Sequence, residues 1–175
     1  MIKCVLGIKQ EREVSLVANK PLETSQTMDK QVVVFRLGEE EFGANIETVK
    51  EIRKMDDQKI TNVPRTSEFV AGIVNLRGKI IPVLDLRLRF GMEKTHHEDN
   101  RIVVIEVGNE VCGVIVDAVK EVLRISSEEI EPAPDMVAGI NKDYLEGIAK
   151  VNGRLIILIN LPKIAIANSN ETRVS

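Results

Sequence analysis

The chain carries an internal repeat. "VFRLGEEEFGANIETVKEIRK", beginning at Val34, recurs as "VIEVGNEVCGVIVDAVKEVLR", beginning at Val104. A shift of 70 residues carries Gly38 to Gly108, Gly43 to Gly113, Val49-Lys50-Glu51-Ile52 to Val119-Lys120-Glu121-Val122, and Pro64 to Pro134. Five further residues then enter and the shift becomes 75. "AGIVNLRGKIIPVLDL" from Ala71 recurs as "EGIAKVNGRLIILINL" from Glu146, carrying Gly72 to Gly147, Gly78 to Gly153 and Asp85-Leu86 to Asn160-Leu161. So ordered a series of matches requires a fold made of two copies of one unit.

Each unit reads as β-rich. "QVVVFRLGEEEFGANI" is a strand, a turn around Gly38-Glu39-Glu40 and a returning strand, and "RIVVIEVGNEVCGVIV" repeats it with Gly108-Asn109 as the turn. Short lengths and β-branched content favour strands over buried helices. Arg77-Gly78-Lys79 and Asn152-Gly153-Arg154 sit between aliphatic runs, where a glycine takes the positive φ of a tight turn. In the first unit strands are expected near 31–38, 41–46, 49–54, 71–77 and 79–84. Five such strands twist, and exposed edges favour closure into a small barrel. Two barrels side by side would share a Val/Ile/Leu seam without an aromatic core. Short helices are expected at "TSEFVAG", capped by Thr66 or Ser67, at "SSEEI", capped by Ser126, and at "LPKIAIAN", with Pro162 in the first turn. Residues 1–28 match neither unit and are expected to be a flexible or loosely docked extension.

Composition narrows the function. The chain has 175 residues, 43% hydrophobic and 29% charged, as in a soluble globular protein of one domain or two small ones. No apolar run approaches the ~20 residues that span a bilayer, and the N-terminus lacks a signal-peptide pattern. Two cysteines, Cys4 and Cys112, form no ligand cluster, which suits a reducing cytoplasm. A net charge of −3, no Trp, one Tyr and four Phe argue against nucleic-acid binding, which needs a basic footprint or stacking platforms. The balance favours a protein that meets other proteins.

No active site emerges from the motifs. "GIVNLRGKI" places five residues between Gly72 and Gly78 and follows Lys79 with Ile, so it fails as a phosphate-binding loop. His96-His97, within "EKTHHEDN", reads as a solvated loop between the units rather than a metal site. Cys112 takes the place of Phe42 and reads as a core filler, and Glu39-Glu40-Glu41 as a solvated turn. No cofactor, metal or catalytic group is expected. What remains are charges present in one copy only. Arg77 aligns with Asn152, Asp85-Leu86-Arg87 with Asn160-Leu161-Pro162, and Arg53 with Leu123, while Glu51 persists as Glu121. Arg77, beside a turn glycine and able to pair with Glu51, is the best candidate for an interface anchor.

"GIVNLRGKIIPVLDLRLRFG" over 72–91 resembles the signature of the CheW family of chemotaxis coupling proteins. "FRLGEEEFGANIETVKEIRK", "VCGVIVDAVKEVLRISSEEIEPAP" and "YLEGIAKVNGRLIILINLPKI" resemble it too, so the likeness covers about 31–166. The resemblance implies an all-β fold of two SH3-like five-stranded barrels around a shared hydrophobic core, with a few short helices. It divides the chain into the 1–28 extension and one CheW-like domain over 29–170, with barrel units at about 31–93 and 100–166. It implies a non-enzymatic cytoplasmic adaptor, recruited to receptor arrays at the membrane without inserting into it. The implied partners are the tips of methyl-accepting chemoreceptors and the regulatory domain of the histidine kinase CheA, which is similar to CheW. Val49, Glu51 and Arg77 match the family's coupling positions, and Gly72, Gly113 and Gly147 match glycines at the same motif points. These six are the candidate partner-binding residues. A CheA regulatory domain would come with kinase modules and a CheV protein with a receiver domain. With neither before Ser175, the chain is expected to be a free-standing coupling protein.

Overall fold

The computed structural model describes residues 28–137 and 139–172, with side chains placed as far as Ala167. The extension expected over 1–28 lies outside the described residues except for Met28. The first repeat forms β1 (Lys30–Leu37), β2 (Glu40–Asn45), β3 (Val49–Lys54), β4 (Val70–Leu76), β5 (Lys79–Asp85) and the one-turn helix α1 (Leu86–Arg89). The second forms β6 (Arg101–Val107), β7 (Glu110–Val116), β8 (Ala118–Ile125), β9 (Ile130–Glu131), the hairpin β10 (Met136–Val137) and β11 (Ile140–Asn141), β12 (Leu145–Val151), β13 (Arg154–Ile159) and helix α2 (Leu161–Thr172). The five strands expected in the first unit are present within a residue of their expected bounds. The β10–β11 hairpin falls where the repeat offset changes from 70 to 75, so it is built around the five inserted residues.

The two repeats exchange hairpins. The five-stranded sheet has the order β3-β6-β7-β5-β4, and the six-stranded sheet the order β8-β1-β2-β13-β12-β9. Thus β1–β2 of the first repeat sits among strands of the second, and β6–β7 of the second sits among strands of the first. The expectation of one barrel within 31–93 and another within 100–166 is corrected by this topology: each sheet draws on both repeats. Parallel ladders make the joins. Gly43 of β2 lies opposite Leu158 of β13, and its repeat partner Gly113 of β7 lies opposite Val83 of β5.

The exchange follows from the residues. "VVVF" in β1 and "IVVI" in β6 are continuous apolar runs, as in strands buried on both faces. In β1, Val32 and Val34 face a core inside the six-stranded sheet, while Phe35 and Leu37 face the core between the sheets. In β6, Ile102 and Val104 line the inside of the five-stranded sheet, while Val103 and Ile105 turn to the same central core. A hairpin edging its own repeat's sheet would leave backbone donors and acceptors unpaired, and insertion between strands satisfies both edges.

The shared seam is present, but it does have an aromatic part. Phe35, Phe42 and Phe90 are all buried there, with successive ring centroids 6.0 Å apart. Cys112 occupies the second repeat's equivalent of Phe42 and packs in the same core, as a filler should. "LPKIAIAN" is helical, and Ser126 Oγ accepts from Glu128 N–H at the start of a 3-10 turn. "TSEFVAG" is not a helix. Val70 N–H bonds to Ser67 C=O in a single turn, and the strand signal of Val70–Leu76 takes over at once.

Candidate protein-docking site

Arg77 and Gly78 form the two-residue turn between β4 and β5, with φ of 54° and 84°. Asn152 and Gly153 form the same turn in the second repeat, with φ of 51° and 78°. Two positive φ angles are the signature of a type I′ hairpin, whose first position favours Asn, Asp or Gly. Asn152 follows that rule and Arg77 breaks it. An arginine there carries a left-handed strain on the order of 1 kcal/mol.

The Arg77 side chain is 73% exposed and reaches across to β3, where its Nη1 donates to Glu51 Oε2 at 2.8 Å. The other oxygen of Glu51 accepts from Arg53 Nη1 at 3.0 Å. Because β3 and β4 are the two ends of the five-stranded sheet, this bond shows that the sheet curls until its ends are one side chain apart. A solvated ion pair contributes ~0–1 kcal/mol, so it offsets the strain of the turn at best. Fold stability therefore gives no reason for arginine at position 77. Val49 stands on the other side of a β-bulge between Val49 and Glu51 and packs half-buried against the seam. The bulge lets two residues of one strand point in unlike directions.

The three candidate glycines are buried, and their own surroundings account for them. At Gly72, φ is +146° and a Cβ would lie 2.2 Å from the Thr61 carbonyl oxygen, where Thr61 bridges to Ile73. Gly147 has the same φ, and its Cβ would meet Ile130 Cγ2 at 2.7 Å, beside the β9–β12 ladder. Gly113 admits no Cβ because Ile102 Cγ2 stands 2.7 Å away. These positions let strands cross closely. They act through the backbone and do not present a surface.

Sequence reasoning marked Asp85-Leu86-Arg87 as single-copy charges but missed what they do. Asp85 and Arg87 are buried, and Arg87 donates to Asp85 through Nε at 2.9 Å and Nη2 at 2.8 Å. Arg87 Nη1 donates to Asp117 Oδ1 at 3.1 Å and to the Thr95 carbonyl, and Asp117 Oδ2 accepts from Gly38 N–H at 2.7 Å. Asn100 Nδ2 donates to the Asp117 carbonyl at 3.1 Å. Burial by itself would lower the Arg87 pKa, but the hydrogen bonds and charges of Asp85 and then Asp117 raise it. This network ties the exchanged β1–β2 turn to both repeats. Asn160 keeps only the capping part of Asp85's role, accepting from Lys163 N–H at 2.9 Å. The available signal was a charged pair bounded by apolar residues in one copy.

Elsewhere the chemistry is sparse. His96 faces Asp56 and His97 faces Asp99, each at 3.3 Å and solvated, so the two rings do not converge. Among the described residues no group of three His, Cys, Asp or Glu side chains could hold a metal ion. A half-open cleft of ≈ 210 Å³ lies between Asn45, Glu146 and Pro162, below the size usual for a small-molecule pocket.

Comparison with known proteins gives the site its setting. A family model described as the CheW-like domain matches residues 31–168. The chemotaxis protein CheW of Klebsiella aerogenes is 35% identical over 140 residues, 79% of this chain and 83% of its own length. That of Rhizobium meliloti is 31% identical over 143 residues, 81% and 91% of the two chains. The crystal structure of the scaffolding protein TtCheW from Thermoanaerobacter tengcongensis is similar with a TM-score of 0.75 at 46% identity, covering 82% of this chain and 97% of that one. With hairpins, seam and signature segment all inside the matched region, the chain belongs to the CheW family of chemotaxis coupling proteins.

Proposed function

We propose that this chain is a non-enzymatic adaptor that couples the cytoplasmic tips of methyl-accepting chemoreceptors to the histidine kinase CheA. Residues 29–170 act as its single docking domain, in the cytoplasm and at receptor arrays. Val49, Glu51 and Arg77 contact partners, while Gly72, Gly113 and Gly147 hold the backbone that presents them. The observation that carries the reading is Arg77: a solvated arginine in a left-handed turn, held over Glu51, where the second copy uses asparagine. An anchor of this kind is retained for what it binds, since it adds little to the fold. No helix among the described residues is long and apolar enough to cross a membrane, which fits an adaptor that reaches the membrane through its partners. Two related, inequivalent sheet ends let one chain meet two partners, and heterologous contacts of this kind can close into rings that add avidity.

Co-sedimentation with vesicles bearing receptor signalling tips, with and without CheA, tests the proposal. Wild-type chain should pellet with both, and Arg77→Ala should lose about 1–2 kcal/mol of binding while keeping its melting curve. A folded wild-type chain left in the supernatant with both partners present would defeat the proposal.

A further inference from the structure

The second repeat lacks the arginine that the first repeat buries. In the first, the Arg87 guanidinium is held below the surface by Asp85 at 2.8 Å and Asp117 at 3.1 Å. The shifts of 75 and 70 residues carry Asp85 to Asn160, Arg87 to Pro162 and Asp117 to Glu47. The cleft of ≈ 210 Å³ beside Pro162 is lined by Asn45, Thr48, Glu146 and Asn160, over the buried Ile159 and Leu161. Asn45 corresponds to Ile115, which lies opposite Asp85 in the parallel ladder of the first repeat. The cleft is therefore the second repeat's version of the Arg87 corner, and it is open. Its volume falls below the ~300–1,000 Å³ of small-molecule pockets and suits one long side chain.

The carboxylates persist where the cation does not. Ala71, in the bulge between Val70 and Gly72, corresponds to Glu146, in the matching bulge between Leu145 and Gly147. Over these four matched places the first repeat has Asp85, Asp117 and Arg87, net −1, and the second has Glu146 and Glu47, net −2. The polar oxygens of the cleft are held in place by backbone bonds. Asn45 Oδ1 accepts from Glu47 N–H at 2.9 Å, and Asn160 Oδ1 accepts from Lys163 N–H at 2.9 Å. Thr48 Oγ donates to the Asn45 carbonyl at 2.8 Å. A carboxamide or hydroxyl oxygen has two lone pairs, so each of the three can accept from a further donor. The start of α2 opposes a cation, and the charges of Glu146 and Glu47 offset it.

We propose that this cleft is a slot for one arginine side chain carried by a protein partner. The guanidinium meets Glu146 and the oxygens of Asn45, Thr48 and Asn160, while the methylene stem lies on Ile159, Leu161 and Pro162. The partner thereby completes in trans the corner that Arg87 completes in cis. A planar fork of five donors reaches several acceptors at once, which a lysine ammonium does less well. Thr48 and Glu146 adjoin Val49 and Gly147, two of the candidate partner-binding residues, so the slot borders the proposed docking surface. The proposal rests on the adaptor reading and adds to it a side chain that a partner must bring.

NMR titration of the full-length, isotope-labelled chain with Nα-acetyl-L-arginine amide tests the slot, with the lysine and aspartate analogues as comparison. The arginine probe should shift the Asn45 and Asn160 carboxamide signals saturably, the lysine probe about fivefold more weakly, and the aspartate probe not at all. Glu146→Gln should weaken the arginine probe by about two- to fivefold. Asn160→Asp with Pro162→Arg installs the first repeat's pair, and should fill the cleft and abolish the shifts. Circular dichroism melts matching wild type would confirm folding, and the exposed Glu146→Gln keeps the test decisive if the double variant melts early. Shifts confined to other residues, an equal response to all three probes, or an unchanged response in Glu146→Gln would each overturn the proposal. With receptor-tip vesicles and CheA, the folded double variant should co-sediment about tenfold more weakly than wild type. If it pelleted as wild type does, the slot would fall while the adaptor reading stood; a wild-type chain that pelleted with neither partner would defeat the adaptor reading itself, and the partner's arginine with it.

Discussion

Hairpin exchange means that neither sequence repeat is a folding unit, and a chain ending at Asp99 should show it. Such a fragment keeps β1 to β5 but loses β6 and β7, the strands that join β3 to β5 in the five-stranded sheet. It also loses seven buried Val and Ile side chains: Ile102, Val103, Val104, Ile105, Val114, Ile115 and Val116. At ~1.5–3 kcal/mol each, their burial contributes roughly 10–20 kcal/mol as an upper estimate. A whole domain's net stability is only ~5–15 kcal/mol, so the fragment cannot make up the loss. Its own β1–β2 hairpin would be left without β8 and β13, exposing Phe35, Leu37 and Phe42. Far-ultraviolet circular dichroism and amide NMR dispersion should report an unfolded or aggregating chain. Mixing it with the complementary fragment from Asn100 onwards should restore a cooperative melt, because the exchanged strands pair in trans. A Met1-to-Asp99 fragment that folds cooperatively alone would refute the exchange.

Other outcomes follow from single sites. Arg87→Leu leaves Asp85 and Asp117 buried without their cation and should destabilise by about 3–5 kcal/mol, lowering Tm by roughly 6–20 °C. Arg77→Asn, which installs the second repeat's turn residue, should leave stability unchanged or raise it by up to about 1 kcal/mol in denaturant titration, while receptor or kinase binding weakens. Burial, with a smaller contribution from the charge of Glu110, pushes the Cys112 thiol from its ordinary 9.0 up to about 12. Between those values the unfolded chain loses this proton and the folded chain keeps it. Cys112 should therefore make stability fall as pH rises above about 9, by at most ~1.4 kcal/mol per pH unit. Denaturant melts over that range should show a shallower slope in Cys112→Ala, and native Cys112 in a Cys4→Ser chain should resist alkylation at pH 8.

The repeat made much of the fold legible. Gly38 and Gly108 marked the hairpins, and the β-branched runs placed strand bounds to within a residue because a two-residue turn fixes the register beside it. Strand partnership was not legible. A repeat states that two units are alike, and a hairpin can satisfy its edges equally within one copy or across two. The one hint was the unbroken "VVVF" and "IVVI", which require burial on both faces. The "TSEFVAG" helix failed because cap residues without a following 3.6-residue period carry little weight against a strand. The Glu51–Arg77 pair was readable, since both positions flank known turns or strands and only one copy holds the arginine. The Asp85–Arg87–Asp117 network was hidden, because Asp117 and Gly38 are 79 residues apart and meet only through the exchange.

The central claim is coupling, and the kinase itself can report it. CheA autophosphorylation should be measured with receptor-bearing vesicles in the presence and absence of this chain, then again after receptor ligand is added. The adaptor reading predicts that kinase activity comes under receptor control only when the chain is present, and that Arg77→Ala, though fully folded, restores that control only weakly. Kinase activity that responds to receptor ligand equally well without the chain, or never responds in its presence, would contradict it.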